Sequence, residues 1–415
     1  MRLEACEIFV VGTPPPGWGG RYFTLVRLTT DTGIHGWGEV YAASVGPAAM
    51  RAVIQDVFAR HMQGENPEQI EMMFRRAYSA GFTQRPDLTV MGAFSGLEIA
   101  CWDILGKARG RPVHALLGGK VNDRLRSYSY IYPGPGDRTP DFWADADAHA
   151  RQAARMVQQG FTALKFDPAG PYTIRGGHQP SLADIGRSVA IATAIRQAVG
   201  DRADLLFGTH GQFTPSGAIR LARALEPLRP LWFEEPVPPD DVPAMAQVAR
   251  ATSIPVATGE RLTTRWEFAP ILRAGAAGVL QPAIGRAGGI WEVRKIAAAA
   301  EIYGVQIAPH LYCGPVEWAA SVQLGAVIPN LLMIETIGTG GDFHRQLIGN
   351  DSLRWQDGFI QVPDAPGLGI EIDMDVITAH PYRGDDLHLQ MQQDPPDPRG
   401  GQPFGGGAPR DDDQC

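Results

Sequence analysis

Asp204-Leu205-Leu206-Phe207-Gly208, Leu231-Trp232-Phe233-Glu234 and Pro255-Val256-Ala257-Thr258 are three short apolar runs bounded by turn-forming or polar residues. Runs of four or five such residues suit fully buried strands. Position 208 to 234 and position 234 to 260 are both intervals of 26 residues, enough for a strand, a helix and two short loops. The same alternation extends on both sides. Upstream, strands are predicted at 126–131 (RSYSYI) and 162–167 (TALKFD); downstream, at 278–281 (GVLQ), 305–308 (VQIA) and 331–334 (LLMI). Helical stretches such as Ala218–Leu228 and Gly289–Tyr303 lie between them. Eight strands separated by helices predict an α/β fold with a parallel barrel rather than an open sheet.

The flanks read differently. Residues 1–60 combine strand patterns, Phe23–Leu28 and Gly36–Val40, with the turn signal Asp31-Thr32-Gly33. From about Val45 to Gly118 the apolar spacing becomes helical, as in Ala93–Leu105. This predicts an N-terminal α+β domain over 1–120 and a barrel over 121–335. A segment at 336–375, containing Pro366-Gly367-Leu368-Gly369-Ile370-Glu371-Ile372, is expected to return to the N-terminal domain. Residues 385–415 are rich in Asp, Pro, Gly and Gln and are expected to form a disordered tail. The 415 residues carry a net charge of −8, which leaves no basic field for nucleic acid or an anionic membrane. No membrane helix and no secretory leader is read from the sequence. Cys6, Cys101, Cys313 and Cys415 are too scattered for a disulfide framework or a zinc cluster, so a reduced cytoplasmic setting is expected.

Chemistry in such barrels sits at the C-terminal strand ends. Those ends read Lys165-Phe166-Asp167, Gly208-Thr209-His210, Glu234-Glu235-Pro236, Gly259-Glu260-Arg261, Gln281-Pro282-Ala283, Pro309-His310 and Glu335-Thr336. Carboxylates converging on one mouth repel unless a cation lies between them, and oxygen ligands suit Mg²⁺. Trp102-Asp103 reads as a packing feature of its helix. Cys313 lacks an activating partner and is not read as a nucleophile.

The run SGLEIACWDILGKARGRPVHALLGG (95–119), with Lys165–Pro168, Phe233–Val237, Gly259–Arg261, Gly288-Gly289 and Pro309-His310 in that order, resembles the mandelate racemase/muconate lactonizing branch of the enolase superfamily. LKFDPAGPY and the His-Gly-Gln-Phe after the third strand resemble the gluconate- and galactonate-type sugar-acid dehydratases within it. The resemblance implies a modified (β/α)7β TIM barrel with the N-terminal α+β domain as a cap, completed by the C-terminal segment. It implies a small carboxylate substrate, a homo-oligomer, and a lyase that forms an enediolate and eliminates water to give a 2-keto-3-deoxy acid. By the same resemblance His310 is the base, His210 the acid, and Glu335 and Lys165 the partners of the substrate anion. Glu234 and Glu260 are Mg²⁺ ligands. Asp167, Tyr172, His210 and His310 contact substrate, and loops 12–21 and 168–181 wall the site. Two positions depart from the pattern: Gly208 stands where a third acidic ligand is usual, and Ala283 where an Asp usually orients the base. The expectation is a weakly held Mg²⁺, with His210, Asp167 or water filling the gap. A racemase or cycloisomerase using Lys165 opposite His310, and a family member that only binds an acid, are the alternatives.

Overall fold

The computed structural model describes residues 1–41, 44–134, 137, 141–167, 169, 174, 176–348 and 353–391. Tyr172 lies outside the described residues, as do 392–415.

The cap begins with three antiparallel strands, β1 (Leu3–Gly12), β2 (Tyr22–Thr30) and β3 (His35–Val40). Helices α1 (Pro47–His61), α2 (Ile70–Ser79), α3 (Leu88–Arg109) and α4 (Val113–Leu116) follow. Local signals set the bounds of α3. The Asp87 side chain accepts from the Thr89 and Val90 amides at its start, and Gly110 ends it at φ 59°. By length and composition α3 could cross a membrane, but residues 91–106 are buried inside the protein. Gly38 on β3 and Gly96 on α3 let strand and helix touch: a Cβ at position 38 would overlap the Gly96 carbonyl.

The barrel strands are β4 (Arg124–Tyr130), β5 (Ala163–Phe166), β6 (Asp204–Gly208), β7 (Trp232–Glu234), β8 (Val256–Thr258), β9 (Val279–Leu280), β10 (Gln306–Ile307) and β11 (Ile334–Glu335). All pair in parallel, and β11 returns to pair with β4. Between β10 and β11 the ring is carried by the bridge from Ile307 to Leu331, with the Leu332 amide donating to the Ile307 carbonyl at 2.7 Å. The predicted eighth strand at 331–334 thus covers the bridge and the first residue of the strand. Seven helices follow the first seven strands: α5 (Ala146–Gln159), α6 (Leu182–Val199), α7 (Pro215–Leu225), α8 (Val242–Ala251), α9 (Thr264–Ala274), α10 (Gly289–Ile302) and α11 (Pro315–Gly325). This is the (β/α)7β order.

Three buried cap carboxylates reach polar groups across element boundaries. Glu98 accepts from the Ile290 and Trp291 amides at the start of α10, and from the Trp102 indole. Glu39 accepts from the Gly314 and Glu317 amides at the start of α11. Asp103 accepts from the Trp37 and Leu368 amides and from Lys107. Helix starts offer amides with no intrahelical partner, so acidic side chains from the cap dock there.

Past the barrel come α12 (Asp342–Ile348), the hairpin β12 (Trp355–Gln356) and β13 (Phe359–Gln361), and α13 (Met374–Ala379). The hairpin pairs with the start of β4. Gly367 bridges Pro112, and Pro381 bridges Val11 of the cap sheet. Residues 385–391 correct the expected disordered tail. His388 is buried, 2.8 Å from the Tyr22 carbonyl of the cap and 2.9 Å from the Tyr312 carbonyl of the barrel.

Candidate active site

Strand periodicity builds the site. A layer inside the barrel takes one residue from each strand or its immediate neighbour: Tyr128, Ala163, Leu206, Trp232, Ala257, Val279, Ala308 and Met333. Side chains two residues further along share the inward face. Those positions are Tyr130, Lys165, Gly208, Glu234, Gly259, Gln281, His310 and Glu335. An apolar layer therefore supports a polar one, and the next residues outward, Asp167, His210 and Glu260, rim the mouth.

The polar layer closes on itself. Lys165 is fully buried, with Nζ 2.6 Å from Glu234 Oε1 and 3.6 Å from Glu335 Oε1, and 4.8 Å from the centre of the Tyr130 ring. Burial alone would lower its pKa, but Glu234 and Glu335 outweigh burial and raise it well above the ordinary range. Glu234 Oε2 accepts from Trp232 Nε1 at 3.0 Å and Gln281 Nε2 at 2.7 Å. Glu335 Oε2 accepts from the Leu311 amide at 2.8 Å, and burial pushes its pKa up to about 7.

Above this layer lies a cavity of about 260 Å³. Its chemical wall is Asp167, His210, Glu260, Arg261, Arg286 and His310. Its aromatic wall includes Trp18 from the cap loop, Tyr41, Tyr130 and Tyr312. Leu389, Gln390 and Met391 close one side. Glu260 is the hub: Oε2 is 3.3 Å from His310 Nε2 and Oε1 is 3.8 Å from His210 Nε2. Burial would raise its pKa, but the positive charge of His310 and His210 once protonated, with that of Lys165 and Arg261, outweighs burial and holds it well below the usual carboxylate range. Burial keeps both imidazoles neutral, His310 down at about 3 and His210 at about 4. Asp167 lies 3.9 Å from His210 and accepts from the Tyr130 hydroxyl at 3.3 Å; burial lifts it to about 7. His210 is held at φ 48°, a left-handed conformation that costs a non-glycine residue energy and is tolerated at functional positions.

The sequence-predicted residues thus fall into two groups. Asp167, His210, Glu260 and His310 meet at the cavity. Lys165, Glu234 and Glu335 lie beneath it, engaged with one another rather than facing it. Ala283 is buried in the core, so His310 is oriented by Glu260 and by the Tyr41 ring stacked 5.5 Å away.

The expected Mg²⁺ ligands do not fit the ion. Mg²⁺ demands near-octahedral oxygen coordination, usually with carboxylates on the ion and water completing the shell. Glu234 has one oxygen on the Lys165 ammonium and the other on two N–H donors. Gly208 brings no ligand, and a Cβ there would collide with the Asp167 carboxylate. Among the described residues no three His, Cys, Asp or Glu side chains are grouped to hold one ion, so Glu234, Glu260 and His210 are corrected as a ligand set. Cys313 is buried and its thiol donates to Glu317, in keeping with a structural role.

Trp18 lies in the cap loop 12–21 that the sequence marked as a wall of the site, whereas sequence reasoning missed Arg286 and the walls formed by Tyr41, Tyr130 and Tyr312. Arg286 lies in the loop five residues past the Gln281 strand end, so that end carried the signal.

A capped (β/α)7β barrel with acids and imidazoles at its C-terminal mouth defines a class of barrel enzymes. Residues 19–118 match the N-terminal domain of mandelate racemase/muconate lactonizing enzymes, and residues 148–376 match the enolase C-terminal domain-like family. The chain belongs to the mandelate racemase/muconate lactonizing enzyme family. It is 36% identical over 362 residues to a D-galactonate dehydratase of Variovorax paradoxus, covering 85% of this chain and 89% of that protein. It is 33% identical over 374 residues to a D-xylonate dehydratase of Haloferax volcanii, covering 89% and 88%. A crystal structure of a mandelate racemase/muconate lactonizing enzyme-like protein from Roseovarius sp. TM1035 superposes with a TM-score of 0.94 at 66% identity, covering 95% of this chain and 99% of that one.

Proposed function

We propose that this chain is a sugar-acid dehydratase, a hydro-lyase acting on a polyhydroxy carboxylate. The observation that carries the reading is the pair of neutral, buried imidazoles, His310 and His210, on either side of Glu260 in a cavity sized for a small ligand. Relatives named galactonate and xylonate dehydratases support the substrate class.

The groups at the mouth divide the work. His310 is neutral at pH 7 and takes the proton from the carbon beside the carboxylate. His310 Nε2 lies 3.3 Å from Glu260 Oε2, and Nδ1 is buried with no hydrogen-bond partner among the described residues, so Nδ1 is the nitrogen open to take the proton. The proton for the hydroxyl leaving the adjacent carbon comes from Asp167, whose carboxyl is lifted to about 7: it passes to His210 Nδ1 as the other ring nitrogen of His210 releases its own proton to the hydroxyl, so the imidazole stays neutral throughout. The C–H and C–O bonds break, water departs, and the enol becomes a 2-keto-3-deoxy acid. Enzymes of this family generally depend on a divalent ion. The side-chain geometry at the strand ends gives that ion no seat here, so no step runs through it. The racemase alternative needs Lys165 as a second base, and its buried, strongly protonated ammonium speaks against that role.

The test is a 2-keto-3-deoxy acid assay over C5 and C6 aldonates. Turnover of at least one acid is expected, and His310→Asn should lower it about 10²–10⁴-fold and stop α-hydrogen exchange in D₂O. Saturable binding with neither turnover nor exchange would leave only a binding protein. Full activity in His310→Asn would remove it as the base.

A further inference from the structure

The family pattern places a divalent ion among carboxylates at the ends of the third, fourth and fifth barrel strands. In this chain other groups hold those places. At the third strand, the Asp167 carboxylate and the Tyr130 hydroxyl occupy the space beside Gly208 where a ligand side chain would stand. At the fourth, both oxygens of Glu234 are taken by Lys165, Trp232 and Gln281. At the fifth, Glu260 faces the imidazoles of His310 and His210 and, at 3.9 Å, Arg261. A buried lysine between two glutamates is a complete charge assembly. Adding a dication would require breaking the Lys165–Glu234 contact and leaving a buried ammonium without its nearest counter-charge.

An enediolate still needs positive charge next to the carboxylate of the substrate. Arg286 is placed to supply it. It lines the cavity at 4% exposure. One terminal nitrogen donates to the Glu260 backbone carbonyl at 2.8 Å, and the guanidinium lies 4.0 Å from the centre of the Tyr41 ring. These two contacts fix its plane. Its Nε–H is buried with no hydrogen-bond partner among the described residues. A guanidinium donor shut away from water is costly unless an acceptor arrives, and a carboxylate is its best geometric match. Arg261 is less available, since its Nε donates to Glu235 at 2.7 Å.

We propose that this barrel mouth takes no divalent ion: Lys165 is the resident cation between Glu234 and Glu335, and Arg286 binds the carboxylate of the substrate. The substrate part rests on the sugar-acid reading; the metal part does not. The distinction is functional. Charge stabilisation here comes from fixed side chains, so activity is insensitive to chelators.

The test is titration of the full chain with Mn²⁺, by calorimetry and electron paramagnetic resonance, with and without D-galactonate. A panel of C5 and C6 aldonates is then titrated into the protein in EDTA. No Mn²⁺ binding tighter than about 1 mM is expected, together with acid binding in EDTA. Arg286→Gln should weaken that acid binding by about tenfold or more, the loss of a charge-assisted contact. Stoichiometric Mn²⁺ uptake below that concentration overturns the proposal. So does acid binding seen only with the ion, the absence of any acid binding in EDTA, or an Arg286→Gln protein with unchanged affinity. The wild-type metal titration decides its part even where the variant misfolds. Chelator-insensitive acid binding without keto-acid release would sink the dehydratase reading and leave this one standing.

Discussion

A methyl group at position 208 would strike the Asp167 carboxylate on one side and crowd the Tyr130 hydroxyl, 3.1 Å away, on the other. Gly208 is therefore small because Asp167, the residue just past β5, leans across it, not because the position is idle. Gly208→Ala should cost about 1–3 kcal/mol of stability, the usual penalty for overpacking a filled interior, measurable by urea denaturation. A neutral effect would mean that Asp167 has room to turn away. The side chain of Asp167 also explains what could be read from sequence here and what could not. Strand ends identify Lys165, Asp167, His210, Glu234, Glu260, His310 and Glu335 as gathered at one end of the barrel. They do not say which of these pair off. That Lys165 closes on Glu234, and that Gln281 and Trp232 take the remaining oxygen, depends on the register of three strands.

Between elements, the cap and the barrel are joined by carboxylates set on helix starts. Glu98 receives three N–H donors: two from α10 and one from Trp102 within α3. Glu98→Ala leaves those donors in a dry interface and should destabilise the fold by about 2–4 kcal/mol, since each orphaned donor carries its own desolvation cost. Thermal unfolding of the variant is the check, and a loss below about 0.5 kcal/mol would mean that water reaches the gap. Helical spacing was enough to find α3 and to assign Trp102-Asp103 to packing. The long-range partners of Asp103, Trp37 and Leu368, lie 66 and 265 residues away and leave no trace in local periodicity. The alternation after Gly118 was legible for the complementary reason: a parallel barrel repeats one unit, and repetition shows in sequence.

Over the whole molecule, the segment after the barrel ties cap and mouth together, and composition alone hid its last part. The Pro, Gly and polar residues that dominate 392–415 set the reading of the whole stretch from 385, yet 385–391 carries Leu387, Leu389 and Met391, and His388 docks between Tyr22 and Tyr312 and sets the next three residues against the cavity. Burying His388 adds it to a set of imidazoles kept neutral by desolvation: His210, His344 and His388 at about 4 and His310 at about 3. An unfolded histidine titrates near 6.5, so the stability these groups carry is full above that pH and is lost as pH falls from about 6.5 toward 4. A second set has the opposite sign. Burial raises Glu98, Asp167, Glu235, Glu317 and Glu335 to about 7 and Glu39 to about 8. Their contribution is full below their unfolded values, near 4, and is lost as pH rises through 7 to 8. The two slopes oppose each other between about 4.5 and 6.5, and only the carboxyls act above that window. Six carboxyls outweigh four imidazoles in that window, so scanning calorimetry at constant ionic strength should find the highest melting temperature between about pH 4 and 5, with a fall toward pH 8 and another below pH 4. A melting temperature that climbed from pH 6.5 to 8 would show the buried carboxylates to be ionised throughout, held so by the helix amides and by Lys165 and Arg261.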